Sequence, residues 1–205
     1  DATELARTLG ARAQRHFKRV HTRVLADDAA ETASGDNVRR AMAFINGARG
    51  IDTVVVFLAS HGLSDREGNY YFVPRDAVPA DVTAVGQGGR ADSLVPWTAF
   101  FEALRDAAGR RILVVDTCHA RNIGGTFEPY SLAKRSVASH FAFMVAAAGD
   151  EESQEYDPAR HGLFTYALLD AFSGGADKNG DGLLSLREAF DHARPIVERL
   201  RDPSL

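Results

Sequence analysis

"RILVVDTCHA", residues 111–120, is the stretch whose reading decides the fold: an apolar, β-branched run that opens onto a polar end holding Cys118, the single cysteine in 205 residues. An apolar run without alternation is how a strand covered on both faces reads in a parallel sheet. "DTVVVFLA", 52–59, is a second run of this kind, and it leads straight into "SHG", 60–62. Between the two lie a small hairpin, "NYYFVP", and a helix around Trp97, Phe100, Phe101 and Leu104, whose Pro96 suits a first turn. "FAFMVAAA", 141–148, predicts a further strand and "LFTYALLDAF", 163–172, a further helix. Upstream, residues 1–16 read as a helix with Leu5 and Leu9 on one face, and "FKRVHTRVLA" then alternates like a strand. Ser34 is placed to cap a helix carrying Val38, Ala41, Met42 and Ile45 at spacings of three and four. Strands alternating with helices indicate an α/β domain with a mainly parallel sheet.

The composition narrows the function classes. A chain that is 45% hydrophobic can bury a sizeable core, and we expect one domain over 1–205. A net charge of −4 gives no general basic field, so neither nucleic acid nor an anionic membrane is expected as a partner. One cysteine makes no internal disulfide, so the fold asks for no oxidising compartment and a cytoplasmic home is expected. No stretch approaches the length of a membrane-spanning helix. The chain begins with Asp1 rather than Met, and an upstream segment is expected. Residues 120–136 and "VTAVGQGGRADS" read as flexible loops.

Both buried strands end in residues able to do chemistry. Ligands of open α/β sheets bind at the carboxyl ends of strands. If the two strands are parallel neighbours, His61 and Cys118 leave the sheet at the same edge. A thiol with an ordinary pKa near 8.5 is mostly protonated at neutral pH, and an imidazole that takes its proton makes it an effective nucleophile. Gly62 would let its backbone N–H approach a substrate, and with the N–H of Cys118 it would form an oxyanion hole. The bland alternative is a small core cysteine and a satisfied polar group at a strand end. His119 adjoins Cys118, but adjacent strand residues point to opposite faces, which argues against a zinc pair.

"VVVFLASHG" followed by "RILVVDTCHA" resembles the two signature strands of the caspase and metacaspase-like cysteine peptidases, "DTCHA" being nearer the metacaspase and bacterial, or orthocaspase, form. The separation of His61 and Cys118 agrees with a histidine about 50 residues upstream of a caspase cysteine. "AAAGDEESQE" and "HGLFTYALLDAF" look like the later strand and helix of bacterial members. The resemblance implies a caspase-like three-layer sandwich, a mainly parallel central sheet flanked by helices. It also implies a larger-subunit-like part over about 1–120, a loop over 121–136 and a smaller-subunit-like part over 137–205. Two departures stand out. Arg121 occupies a place where family members usually have glycine, and the chain starts at a helix that a strand normally precedes.

The resemblance further implies catalysis by Cys118 and His61 and a peptide or protein substrate, with no cofactor required for the chemistry. Metacaspases hold arginine or lysine at P1 with acidic groups, and the matching positions are Asp116, two residues before the nucleophile, and Asp1. Independently, "GDEESQEYD" follows the third buried strand, where a caspase supplies a pocket arginine. Carboxylates of Glu151, Glu152 and Glu155 would favour a guanidinium and reject an acidic side chain. Each is equally readable as part of a solvated acidic loop. Cleavage after Arg or Lys is expected, with Asp at P1 as the alternative. Lys134-Arg135 marks an expected processing point, which brings in an activating protease or a regulatory domain as partner. A catalytically silent interaction module and a cysteine hydrolase of another bond are the rival functions.

"DKNGDGLLSLRE", 177–188, matches the calcium-loop pattern D-x-N-x-D-G-x5-E. Asp177, Asn179 and Asp181 would offer side-chain oxygens, Leu183 its carbonyl, Ser185 a direct or water-mediated ligand, and Glu188 a bidentate carboxylate around Ca2+. The same residues also spell an Asp/Asn/Gly turn followed by a Ser185–Glu188 capping box. Both readings stand at this level. The other histidines, His16, His21, His140, His161 and His192, read as structural or exposed.

Overall fold

In the computed structural model, which describes residues 1–67, 69–89, 91–119, 141–146, 155–156 and 161–201, the two apolar runs are adjacent parallel strands. The elements in chain order are α1 (Ala2–Ala13), α2 (Gly35–Ile45), β1 (Thr53–Ser64), β2 (Tyr70–Phe72), α3 (Pro79–Val85), β3 (Val95–Pro96), α4 (Trp97–Asp106) and β4 (Arg110–His119). After β4 come β5 (Ala142–Val145), β6 (Glu155–Tyr156), β7 (His161–Gly162), α5 (Leu163–Asp170), a wide turn Ala171–Gly175, and α6 (Leu186–Arg201). The main sheet has the order β3-β2-β1-β4-β5. β1, β4 and β5 run parallel, while β2 and β3 are antiparallel additions at one end. The architecture is thus an α/β fold with a mixed, mostly parallel central sheet.

Two compact units divide the chain: Leu25–Glu152 holds the sheet with α2, α3 and α4, and Asp1–Val24 with Ser153–Leu205 holds α1, α5, α6 and the β6–β7 ribbon. In the sheet unit, Val54 and Leu58 of β1 and Leu113 and Val115 of β4 share a core with Trp97, Phe100, Phe101 and Leu104 of α4. These four α4 residues, at i, i+3, i+4 and i+7, form the stripe that seats the helix. Each contributes on the order of 1.5–3 kcal/mol by leaving water. Arg111 Nη1 donates to the carbonyls of Leu104, Arg105 and Ala107, which α4 leaves unpaired at its C-terminus. Gly109, at φ 87°, precedes β4 where a Cβ would lie 2.3 Å from the Asp52 carbonyl oxygen, so only glycine lets β4 start this close to β1.

β4 is buried on both faces, Leu113 at 0% exposure and Val114 at 4%. On β1, Val54 and Leu58 of one face are buried, while Val55 of the other is 39% exposed. Ser34 caps α2 as expected, its hydroxyl accepting from the Asn37 N–H at 3.3 Å. Two expectations are corrected. "FKRVHTRVLA" contains no strand and makes only an isolated bridge from Leu25 to Glu31; alternation makes a strand only where a neighbour takes up its backbone groups. The excursion expected as loop begins inside α3, which Pro79 opens and Thr83 supports by donating to the Pro79 carbonyl.

In the other unit α1 packs on α5 and α5 on α6. Leu163, Phe164, Ala167, Leu168, Ala189 and Ala193 are buried there, and His192 of α6 meets the Asp170 carboxylate of α5 at 2.6 Å.

Candidate active site

His61 and Cys118 are Cα register partners at the carboxyl end of the parallel β1–β4 ladder, one pair before its last. Adjacent strands lie about 4.8 Å apart, so the two backbones are separated by one strand spacing. The even-numbered residues of β1 from Val54 to Leu58 enter the core, and the odd-numbered side bears Val55 and, at its end, the exposed His61. One strand period before Cys118 stands Asp116, only 6% exposed and a register partner of Ala59.

Gly62 has a reason that the sequence did not disclose. A Cβ there would lie 1.6 Å from the hydroxyl oxygen of Tyr70 and 2.1 Å from its Cζ, so the Tyr70 ring crosses the backbone at this point. Gly62 is also flanked on both sides, with register partners His119 on β4 and Phe72 on β2. Having crossed it, the Tyr70 hydroxyl donates to Thr117 Oγ1 at 2.9 Å, next to Cys118 in the chain. Sequence reasoning missed Tyr70; the available signal was a hydroxyl among apolar residues in the hairpin "NYYFVP".

Asp1 belongs to the other unit. It occupies the N-cap of α1 yet makes no side-chain cap bond. Instead its Oδ1 contacts His161 Nδ1 at 3.0 Å and accepts from the Gly162 N–H at 3.2 Å. Burial pushes the His161 imidazole below its ordinary value. A neutral ring still donates from Nδ1, and the carboxylate selects that tautomer. His161, read as structural or exposed, thus has a partner in Asp1. Gly162 is in turn the register partner of Glu155, so the short β6–β7 ribbon sets the Glu155 backbone beside the group that anchors Asp1. Glu151, Glu152, Lys134 and Arg135 lie outside the described residues.

At 177–188 the residues form a turn and a helix cap. Asp177 accepts from the N–H groups of Gly180 and Gly182, and Asp181 from that of Leu183. Asn179 accepts from the Asp181 N–H. Ser185 and Glu188 cap α6 reciprocally: the Glu188 N–H donates to Ser185 Oγ at 3.1 Å, and the Ser185 N–H to Glu188 Oε2 at 2.9 Å. Those bonds hold the Glu188 carboxyl below its usual range. Among the described residues no group of three or more His, Cys, Asp or Glu is arranged to hold a metal ion, and no helix is long and apolar enough to cross a membrane. The donor chemistry suits Ca2+, and Glu188, held here by Ser185, would have to turn from it to reach the ion.

Three comparisons bear on this geometry. No curated protein is similar enough in sequence to count as a match. Protein GSU0716 from Geobacter sulfurreducens, a structural-genomics crystal structure, is similar in fold, with a TM-score of 0.57 at 16% identity over 94% of this chain and 78% of that one. The family model described as Caspase domain, of the C14 peptidases, matches residues 1–203. With that match across both units, and with histidine and cysteine at adjoining strand ends, the chain belongs to the caspase-domain family of cysteine peptidases.

Proposed function

We propose that the protein is an endopeptidase of the metacaspase type that cleaves polypeptides after arginine or lysine with a Cys118–His61 dyad. The observation that carries this reading is the register of His61 with Cys118 at the carboxyl end of the parallel β1–β4 ladder. His61 takes the thiol proton, and the Cys118 sulfur adds to the scissile carbonyl carbon. The amides of Gly62 and Cys118 bear the oxyanion, a kind of contact worth about 10²–10³ in rate per donor. Collapse breaks the C–N bond as the imidazolium gives its proton to the leaving amine. Water, deprotonated by His61, then attacks the thioester, and the acid product leaves as the thiol regains its proton.

The basic P1 side chain pairs with Asp116, whose low exposure strengthens attraction to a guanidinium and repels an acidic residue. Asp1, Glu151 and Glu152 are the further carboxylates proposed for P1 recognition. Both contacts on Asp1 fall on Oδ1, so Oδ2 is the oxygen a guanidinium would take. Cleavage near Lys134-Arg135 is the proposed activating event. Calcium at Asp177, Asn179, Asp181, Leu183, Ser185 and Glu188 is a companion proposal supported by the loop sequence; it requires Glu188 to leave Ser185, and no catalytic step is routed through it.

Covalent labelling tests the proposal. A peptidyl-arginine chloromethylketone should modify Cys118, the His61→Ala protein should react far more slowly, and a peptidyl-aspartate analogue should not react. Equal labelling by both reagents would overturn the basic P1 assignment, and labelling indifferent to His61 would overturn the dyad.

A further inference from the structure

Tyr70 reaches both strand ends that carry the dyad, from the side of the sheet away from His61. Its ring stands in the apolar core, 5.2 Å from the Trp97 ring, and only 7% of the residue is exposed. From β2 it passes over Gly62, the residue after His61, and bonds to Thr117, the residue before Cys118. Thr117 is 1% exposed, so this hydrogen bond is sheltered from water. The hairpin that presents Tyr70 is itself held. Asp65 Oδ1 accepts from the N–H groups of Glu67 and Asn69, Oδ2 accepts from Asn69 Nδ2, and the Asp65 N–H donates to the Asn69 carbonyl. Tyr71 adds its hydroxyl to Asp65 Oδ2.

We infer that Tyr70 is a positioning residue for the reaction, fixing the spacing of the His61 and Cys118 backbones through its contact with Gly62 and its bond to Thr117. The inference rests on the reading of His61 and Cys118 as a dyad. Tyr70 acts through the backbone next to each residue. A nucleophile and base displaced by about 1 Å lose on the order of a hundredfold in rate. The β1–β4 ladder pairs His61 with Cys118 and stops one pair later, at Gly62 and His119, which is where the Tyr70 contact lies.

The test compares Tyr70→Phe, Thr117→Val, the double variant and Thr117→Ser with wild type. It reads kcat and KM on a P1-arginine peptide, Tm, and the pH dependence of Cys118 alkylation by iodoacetamide. Each single variant should lower kcat at least about tenfold with little change in KM, and slow alkylation at pH 7. The double variant should be no slower than either single and should regain Tm, since no buried hydroxyl is then left without its partner. Thr117→Ser, which keeps the bond, should behave as wild type. Wild-type kcat and alkylation in both single variants would overturn the role of Tyr70 while leaving the dyad standing. Loss of folding in both would also overturn it, by making the bond structural alone. If alkylation of the wild-type protein is unchanged by His61→Ala, the dyad reading fails and the inference with it.

Discussion

The Asp1 carboxylate heads helix α1 without capping it and contacts His161 Nδ1 at 3.0 Å instead. His161 and the Gly162 amide both engage Oδ1, which fixes the plane of the carboxylate. If Asp1 recognises P1, its orientation is as important as its charge. His161→Ala should therefore raise KM for a P1-arginine peptide severalfold with kcat little changed, and Asp1→Asn should raise it further. A His161→Ala protein whose KM is that of wild type would detach the contact from substrate recognition.

The same histidine predicts a direction for acid stability. Its folded value lies below the ordinary 6.5 because burial disfavours the charged ring, so the unfolded chain takes up the proton first. Its contribution is complete above about pH 6.5 and is lost as the pH falls through the folded value. Denaturation midpoints measured from pH 7.5 to 5 should fall less steeply for His161→Asn than for wild type. Parallel profiles would contradict the shift.

Gly62→Ala should destabilise the protein by about 1–3 kcal/mol or more, because the added Cβ meets a buried ring held by Thr117 rather than a flexible side-chain end. Urea denaturation measures this. A neutral result would mean that the Tyr70 ring does not pass over this backbone.

The Ser185–Glu188 capping box and the calcium proposal make opposite demands on one carboxylate. Ser185→Ala should lower Tm by a few degrees in the absence of metal through loss of the cap. A Tm that rises with Ca2+ in wild type, and does not in Glu188→Gln, would establish that Glu188 leaves Ser185 for the ion. An unchanged Tm in Ca2+ and in chelator would remove the calcium proposal. Turnover should be the same in Ca2+ and chelator either way.

The parts of this fold legible in the sequence are those whose cause is local. The stripe Trp97, Phe100, Phe101 and Leu104 made α4 readable, Ser34 marked the start of α2, and two unbroken apolar runs announced β1 and β4. Their parallel pairing put His61 beside Cys118 as the two strand-end motifs suggested. What stayed hidden depends on partners far along the chain. Asp1 and His161 are 160 positions apart, and Tyr70 and Thr117 are 47. Gly62 read as a place for a substrate to approach, and nothing near it in the sequence announced the tyrosine that passes it from the next strand. Residues 17–26 alternate like a strand, but alternation fixes a face and not a neighbour, and without one the segment forms no ladder.

Proteolytic activation has its own signature. Active protein on prolonged incubation should be cut near Lys134-Arg135, and the Cys118→Ala protein should remain whole. An active protein that stays intact would exclude self-processing at that site.

The central claim is tested most directly by the turnover of fluorogenic peptides with Arg, Lys, Asp or Ala at P1, measured beside a folded Cys118→Ala control. The account predicts that the Arg and Lys peptides alone are cleaved and that the control is inactive. Cleavage after Asp, or turnover that survives loss of the Cys118 thiol, would contradict it.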